Sequence, residues 1–207
     1  GLPLLRRKRL ELARALALRP RLLLLDEIGA GLVEAETSAL IELINSLRAE
    51  VEGLLIIEHV MDLITACCER AAVLASGQLL TVGETRQVLR DPQVVAAYLG
   101  SGAPPSAGMR RASTRMPAPG PAPAGAVSAH VPPGIDITRA APLLDVRGLK
   151  VHYGGVRALR GVDLAIGRGE AVALLGANGA GKSTLARAIS GVVPRVAGSI
   201  TFDGTDL

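Results

Sequence analysis

The apolar positions of this chain follow two alternating rhythms. Residues 4–18 set Leu5, Leu12 and Leu16 at helical spacing among charged neighbours, and Pro20, with its fixed φ and no N–H, ends that run. Leu22 to Leu25 is a continuous apolar stretch too short for a helix, so it predicts a buried strand. From about Glu34 to Ala49 the side chains of Leu40, Leu43, Ile44 and Leu47 share one face, which predicts a second helix, and Gly53 leads into another apolar strand, Leu54 to Ile57. Residues 71–82 predict two short strands around a Ser76-Gly77 hairpin turn, and residues 84–99 a closing helix. After residue 141 the pattern resumes. Strands are predicted over 143–151 and 157–166, joined at Gly154-Gly155, then an apolar strand over 170–175, a helix over 182–192 and a last strand from Ile200 to Phe202.

Strands alternating with helices imply an α/β fold with a mostly parallel sheet, and the paired strands on either side of Gly154-Gly155 add an antiparallel β layer. Between these regions, residues 101–141 are dominated by Ala, Pro and Gly and hold eight prolines. Such a segment lacks the apolar surface for a core and reads as a semi-stiff linker. The chain therefore divides into residues 1–100, a linker over 101–141, and residues 142–207.

Composition narrows the class. Apolar residues make up 49% and charged residues 20%, the balance of a globular protein, while aromatics at 1% leave the core to Leu, Val, Ile and Ala. No apolar run approaches the roughly 18–20 residues that span a bilayer, and no secretory signal pattern is visible, so a cytosolic location is expected. The sequence opens on Gly1, and truncation at both ends is expected. The net charge of +4 is spread out: residues 1–100 sum to −2 and each of the other two regions to +3. No basic face results, and nucleic acid is not expected as a partner; the run Arg6-Arg7-Lys8-Arg9 reads as a solvated helix face. Cys67 and Cys68 are adjacent, which fits neither a disulfide framework nor a C-x-x-C site, so both read as ordinary helix residues.

The chemistry concentrates after the strand over 170–175. Gly176-Ala177-Asn178-Gly179-Ala180-Gly181-Lys182-Ser183 matches the phosphate-binding loop pattern, with a strand before it and a helix after it as the mechanism requires. Glycines let successive N–H groups turn toward phosphate oxygens, and the helix N-terminus places partial positive charge where anions sit. In this pattern Gly176, Asn178, Gly179, Ala180, Gly181, Lys182, Ser183 and Thr184 surround the phosphates of ATP, with Lys182 reaching the β and γ groups and Ser183 holding Mg²⁺. Asp26 and Glu27 end the first buried strand. There Asp26 suits the Mg²⁺ shell and Glu27 suits activation of water, although a carboxylate after a strand also serves as a turn former or helix cap. His59 follows the next strand at the same sheet edge, which suits a catalytic role beside Glu27, whereas a lone His is commonly structural. Tyr153 precedes the loop and has either base stacking or surface packing as its role.

These residues together resemble the nucleotide-binding domains of ABC transporters, with their motifs out of order for a single domain. Residues 1–100 look like the C-terminal half of one such ATPase domain, and residues 142–207 like the N-terminal part of a second. Leu12-Ala13-Arg14-Ala15-Leu16-Ala17, Glu58-His59-Val60-Met61-Asp62 and Arg187-Ala188-Ile189-Ser190-Gly191 resemble the paired ATPases of branched-chain amino acid importers. The resemblance implies a fragment of a fusion of the two subunits. It also implies ATP and Mg²⁺ as cofactors, transmembrane permease subunits and a second ATPase domain as partners, and a peripheral position on the cytoplasmic face of the inner membrane.

Departures from the family pattern qualify this. Leu2-Pro3-Leu4-Leu5-Arg6 stands where the family carries a Ser- and Gly-containing signature, Ile28 and Val33 replace usual residues, and no glutamine loop follows Lys182. The alternatives are an ABC fragment that binds nucleotide or a partner without turnover, and a non-transport ABC ATPase. The two segments are also complementary, each lacking strands that the other has. They are expected to dock as a circularly permuted domain, setting the strand over 170–175 beside Leu22 to Leu25 and bringing Lys182 to Asp26 and Glu27.

Overall fold

The computed structural model describes residues 3–99 and 141–207. The linker read over 101–141 therefore lies outside the described residues except for Ala141, as does Leu2 at the head of the altered signature; Pro3 caps the first helix. The first segment runs α1 (Leu4–Leu16), β1 (Leu22–Asp26), α2 (Glu34–Leu47), β2 (Gly53–Ile57), α3 (Met61–Cys67), β3 (Arg70–Ala75), β4 (Gln78–Glu84), α4 (Thr85–Val88) and α5 (Pro92–Leu99). The second runs β5 (Leu144–Tyr153), β6 (Val156–Ile166), β7 (Glu170–Leu175), α6 (Lys182–Ile189), β8 (Ala197–Phe202) and β9 (Thr205–Asp206).

Both segments contribute to one sheet. Its order is β1-β2-β7-β3-β4, so the strand supplied by the second segment sits inside the sheet of the first. β7 pairs in parallel with β2 from Gly53↔Glu170 to Ile57↔Leu174, and in parallel with β3 from Arg70↔Val172 to Val73↔Leu175. The docking expectation therefore holds, while the expected neighbour changes: β7 lies beside β2, one strand in from β1. The reason is visible in burial. β2 is buried at every position and must be flanked on both sides, whereas β1 alternates buried with half-buried residues and takes the edge. Parallel strands covered on both faces also explain why Leu54–Ile57 and Ala171–Leu175 are unbroken apolar runs.

The side-chain period of two divides the core into two layers. Leu23, Leu25, Leu54, Ile56, Ala171, Ala173 and Val73 face the helical side, where Leu12 of α1, Leu40 and Ile44 of α2, and Leu63 and Ile64 of α3 cover them. Leu55, Ile57, Val172, Leu174, Ala72 and Leu74 face the other way, onto Leu144, Val146, Leu159, Val162 and Ile166 of the antiparallel sheet and Leu185 and Ile189 of α6. That second sheet has the order β6-β5-β8-β9 and is the antiparallel layer expected from the sequence. Cys67 and Cys68 are buried thiols at the end of α3.

Several expected elements differ in extent, the first two helices ending at Leu16 and Leu47 and the last long strand starting at Ala197; two differences have a visible cause. The closing helix over 84–99 is two helices, α4 and α5, because Pro92 has no N–H to continue a ladder and instead opens a new helix at its first position. The helix over 182–192 stops at Ile189, where the Val192 N–H folds back onto the Arg187 carbonyl. The hairpin at Ser76-Gly77 is as expected, with positive φ at both residues, the geometry of a tight β-turn.

At the edge opposite the strand C-termini, charges tie the segments together. Arg21 and Arg168 each pair with both Glu52 and Asp203, and the Arg21 guanidinium lies 5.2 Å from the centre of the Phe202 ring. Hydrogen bonding from Arg21 holds the carboxyls of Glu52 and Asp203 below the usual carboxylate range, and the same partners raise Arg21. Depressed native values contribute stability that is present above the ordinary carboxylate range, about pH 4, and is lost as pH falls through the native values. Solvent exposure keeps that contribution modest. Between pH 5 and pH 3 the thermal midpoint should therefore fall more steeply for the native chain than for a Glu52→Gln/Asp203→Asn variant, as followed by circular dichroism.

Candidate functional site

Three adjacent parallel strands end at one edge. The register aligns Asp26 with Ile57 and Ile57 with Leu174, so the residues just beyond β1, β2 and β7 emerge side by side. This is where open α/β sheets gather ligands. Beyond β1 stands Glu27, beyond β2 stand Glu58 and His59, and beyond β7 the loop from Gly176 leads into α6.

That loop is held tightly at its base. At Gly176 φ is +147°, and a Cβ there would meet the Leu74 carbonyl oxygen at 2.3 Å, so only glycine fits. The Lys182 ammonium donates to the carbonyls of Gly176 at 2.8 Å and Ala177 at 3.2 Å, closing the loop across its mouth. By contrast, the backbone N–H groups of Asn178, Gly179, Gly181, Lys182, Ser183 and Thr184 have no acceptor among the described residues. Unpaired donors in a row, at a helix N-terminus and beside an ammonium group, are the complement of a polyphosphate. The residues present thus fit the phosphates of ATP.

Ser183 donates from Oγ to Oδ2 of Asp26 at 3.0 Å, although the two residues are 157 apart in sequence. A hydroxyl and a carboxylate oxygen side by side form the hard-oxygen donor set that suits Mg²⁺, which takes few protein ligands and completes its shell with phosphate and water. Glu27 has φ of +49°, an uncommon backbone state for a non-glycine residue. Its N–H donates to the Ile57 carbonyl at 2.9 Å, and its own carbonyl accepts from the Lys8 ammonium at 3.2 Å. The strained residue is thus secured on both sides.

Two clefts open over these groups, both lined by Glu27, Asn178 and Lys182. One, of about 460 Å³, is lined by Glu27, Gly179, Gly181, Lys182, Ser183 and Thr184, together with Ser76, Gly77, Arg157 and Arg160. The other, of about 370 Å³, is lined by Glu27, His59, Gly176, Asn178 and Lys182, among others. Nearly every site residue read from the sequence is therefore brought to one place, with Ala180 buried behind the loop and Asp26 bonded to Ser183. Tyr153 is the exception. It ends β5 with 43% of its surface exposed and lines neither cleft, whereas Val156 and Arg157, just past the turn, do line one.

Glu58 was not singled out by sequence reasoning. It is 1% exposed, and its carboxylate accepts from the N–H groups of Gly29, His59 and Val60. The loop after β1, which carries Glu27, is thereby clipped to the loop after β2, which carries His59. The available signal was a carboxylate directly following the four apolar strand residues Leu54 to Ile57, since a charge at that depth requires partners. Arg157 and Arg160 carried no motif signal because arginines on a strand usually face solvent.

Residues 159–207 match the family described as ABC transporter. The ribose import ATP-binding protein RbsA of Pseudomonas putida is 30% identical over 197 residues, covering 95% of this chain and 33% of that protein. The lipopolysaccharide export system ATP-binding protein LptB of Acidithiobacillus ferridurans is 43% identical over 94 residues, 45% of this chain and 39% of that relative. The high-affinity branched-chain amino acid transport ATP-binding protein BraF of Pseudomonas aeruginosa is also 43% identical over 94 residues, 45% of this chain and 37% of the relative. The chain thus spans little more than a third of the length of these ABC relatives. Among the described residues no helix is long and apolar enough to cross a membrane.

Glu58→Gln tests the clip directly. An amide NH₂ would face backbone donors that the carboxylate now satisfies, so the substitution should cost about 1–3 kcal/mol of unfolding free energy in a urea titration. It should also speed hydrogen exchange at Gly29 and His59.

Proposed function

We propose that this chain is part of the ATP-hydrolysing subunit of an ABC importer. The observation that carries the reading is the 3.0 Å contact between Ser183 at the start of α6 and Asp26 at the end of β1, which joins a phosphate loop to an acidic strand end. In this reading the free N–H groups of the loop and Lys182 bind the triphosphate, and Ser183 and Asp26 hold Mg²⁺. Glu27 orients the attacking water, and His59 contacts the terminal phosphate. Such a site works by positioning and by electrostatic stabilisation of the transferred phosphoryl group, with little covalent chemistry for the protein to perform.

In this proposal residues 1–100 and 142–207 derive from two consecutive ATPase domains of a longer protein, joined by residues 101–141, in which each would make with its own domain's other half the strand pairing that the two make here with each other. It rests on the order of the motifs, with the acidic strand end and His59 in residues 1–100 preceding the phosphate loop in residues 142–207. The longer protein would sit against permease subunits on the cytoplasmic face of the membrane, with the composite sites closed by domain pairing. The altered signature at Leu2 to Arg6 makes one of those composite sites the weaker.

For the cargo, the reading from the motifs is branched-chain or related amino acids, supported by BraF over 94 residues. Relatives that cover nearly the whole chain favour a second reading, since their names give ribose or galactose import. Uptake of labelled leucine and labelled ribose by cells lacking the full-length gene separates the two, because only the true cargo loses transport.

For the site itself, Lys182→Ala removes the charge that pairs with phosphate. Charge-assisted hydrogen bonds are about twice as strong as neutral ones, so the variant should lose most of its affinity for MgATP, by a factor on the order of 10 or more. Titration with a fluorescent ATP analogue reads this. Equal binding by the native chain and the variant would refute the phosphate-loop assignment.

A further inference from the structure

The turn between β3 and β4 belongs to the first segment, yet it reaches the phosphate loop of the second. Gly77 donates its N–H to the Ala180 carbonyl at 2.9 Å and accepts at its own carbonyl from the Arg160 N–H at 2.8 Å. The turn is therefore bonded on one side to the loop and on the other to β6. No other residue type fits there. At Gly77 φ is +78°, and a Cβ would lie 2.5 Å from the Ala158 carbonyl oxygen.

The bond to Ala180 matters because of peptide planarity. In a trans peptide the C=O of one residue and the N–H of the next point in opposite directions, and rotation about the joining bond is strongly hindered. None of the described peptides is cis. When Gly77 draws the Ala180 carbonyl toward the hairpin, the Gly181 N–H is turned the other way and has no acceptor among the described residues, while Gly181 and Gly77 line the same cleft. Ala180 itself is only 5% exposed, so the carbonyl is drawn away from water as well.

We propose that Gly77 is a positioning residue for nucleotide binding: through the Ala180–Gly181 peptide it aims one N–H of the phosphate loop at the bound phosphates. This rests on the nucleotide reading above and adds to it a contribution from the opposite segment. The hairpin acts through the backbone of the loop, by removing a rotational freedom that the loop would otherwise lose on binding.

The test uses the whole 207-residue chain, labelled with ¹⁵N. Before any nucleotide is added, the Gly77 amide should be protected from hydrogen exchange; on addition of MgATP, the Gly181 amide resonance should shift. Gly77→Ala, with its thermal midpoint measured alongside, should bind a fluorescent ATP analogue about tenfold more weakly, the factor carried by one hydrogen bond of ordinary net strength. A residue with a merely structural role would lower the midpoint and leave affinity and the Gly181 response unchanged. Native binding with a silent Gly181 amide, an unprotected Gly77 amide, or unchanged affinity in a folded Gly77→Ala chain overturns this proposal alone. Absence of MgATP binding by the native chain overturns the nucleotide reading and this proposal together. Should Gly77→Ala not fold, the two amide measurements on the native chain decide.

Discussion

Everything in this structure depends on the insertion of β7 between β2 and β3. Without it the first segment would hold two pairs of strands, β1-β2 and β3-β4, with facing backbone donors and acceptors and nothing between them to satisfy either row. The second segment has the matching problem, because Ala171 to Leu175 is apolar on both faces and needs strands on both sides as well as layers above and below. Each segment thus completes the other's hydrogen bonding and core at once, which is why the two core layers both mix residues from residues 3–99 and 141–207.

The candidate site follows from that insertion. Its cationic and N–H-rich part, the loop and Lys182, hangs from β7; its anionic part, Asp26 and Glu27, hangs from β1; and Glu58 and His59 hang from β2 between them. Because strand ends in a parallel sheet are held in register by the ladder, side chains 157 residues apart in sequence meet within hydrogen-bonding distance. The backbone does the bringing together, and the side chains need only be short. Two further ties keep the edge rigid: the Glu58 carboxylate between the loops of the first segment, and the Gly77 turn under the loop of the second.

What could be read in the sequence was what local physics demands. A loop that turns its N–H groups outward requires glycines and a following helix, and a strand covered on both faces requires unbroken apolar residues; both leave marks on the residue types. The position of β7 was harder, since ladder bonds come from the backbone and any apolar strand can serve as a neighbour. Only the difference between the half-buried β1 and the fully buried β2 settles it, and that is a property of the assembled sheet. Glu58 was obscured because a single carboxylate after a strand looks like a turn former until its three donors are seen. Gly77 looked like a hairpin glycine, and it is one; its second task arises from a contact with a distant part of the chain. Tyr153 shows the reverse case, a motif residue whose neighbours past the turn line the cleft while it does not.

The central place of β7 also bears on how fast this fold can be reached. Its partners are about 100 residues away along the chain, as Arg70 and Glu170 are, so the middle of the sheet cannot zip from a local hairpin. Folding rates fall as contacting residues lie farther apart in sequence, because the closure entropy comes due before the contacts that offset it. Until β7 arrives, β2 and β3 present the kind of open edges that invite pairing with a second molecule. A strand of the same sequence from another copy fits that gap as well as the chain's own, so at high concentration refolding competes with exchange of β7 between molecules.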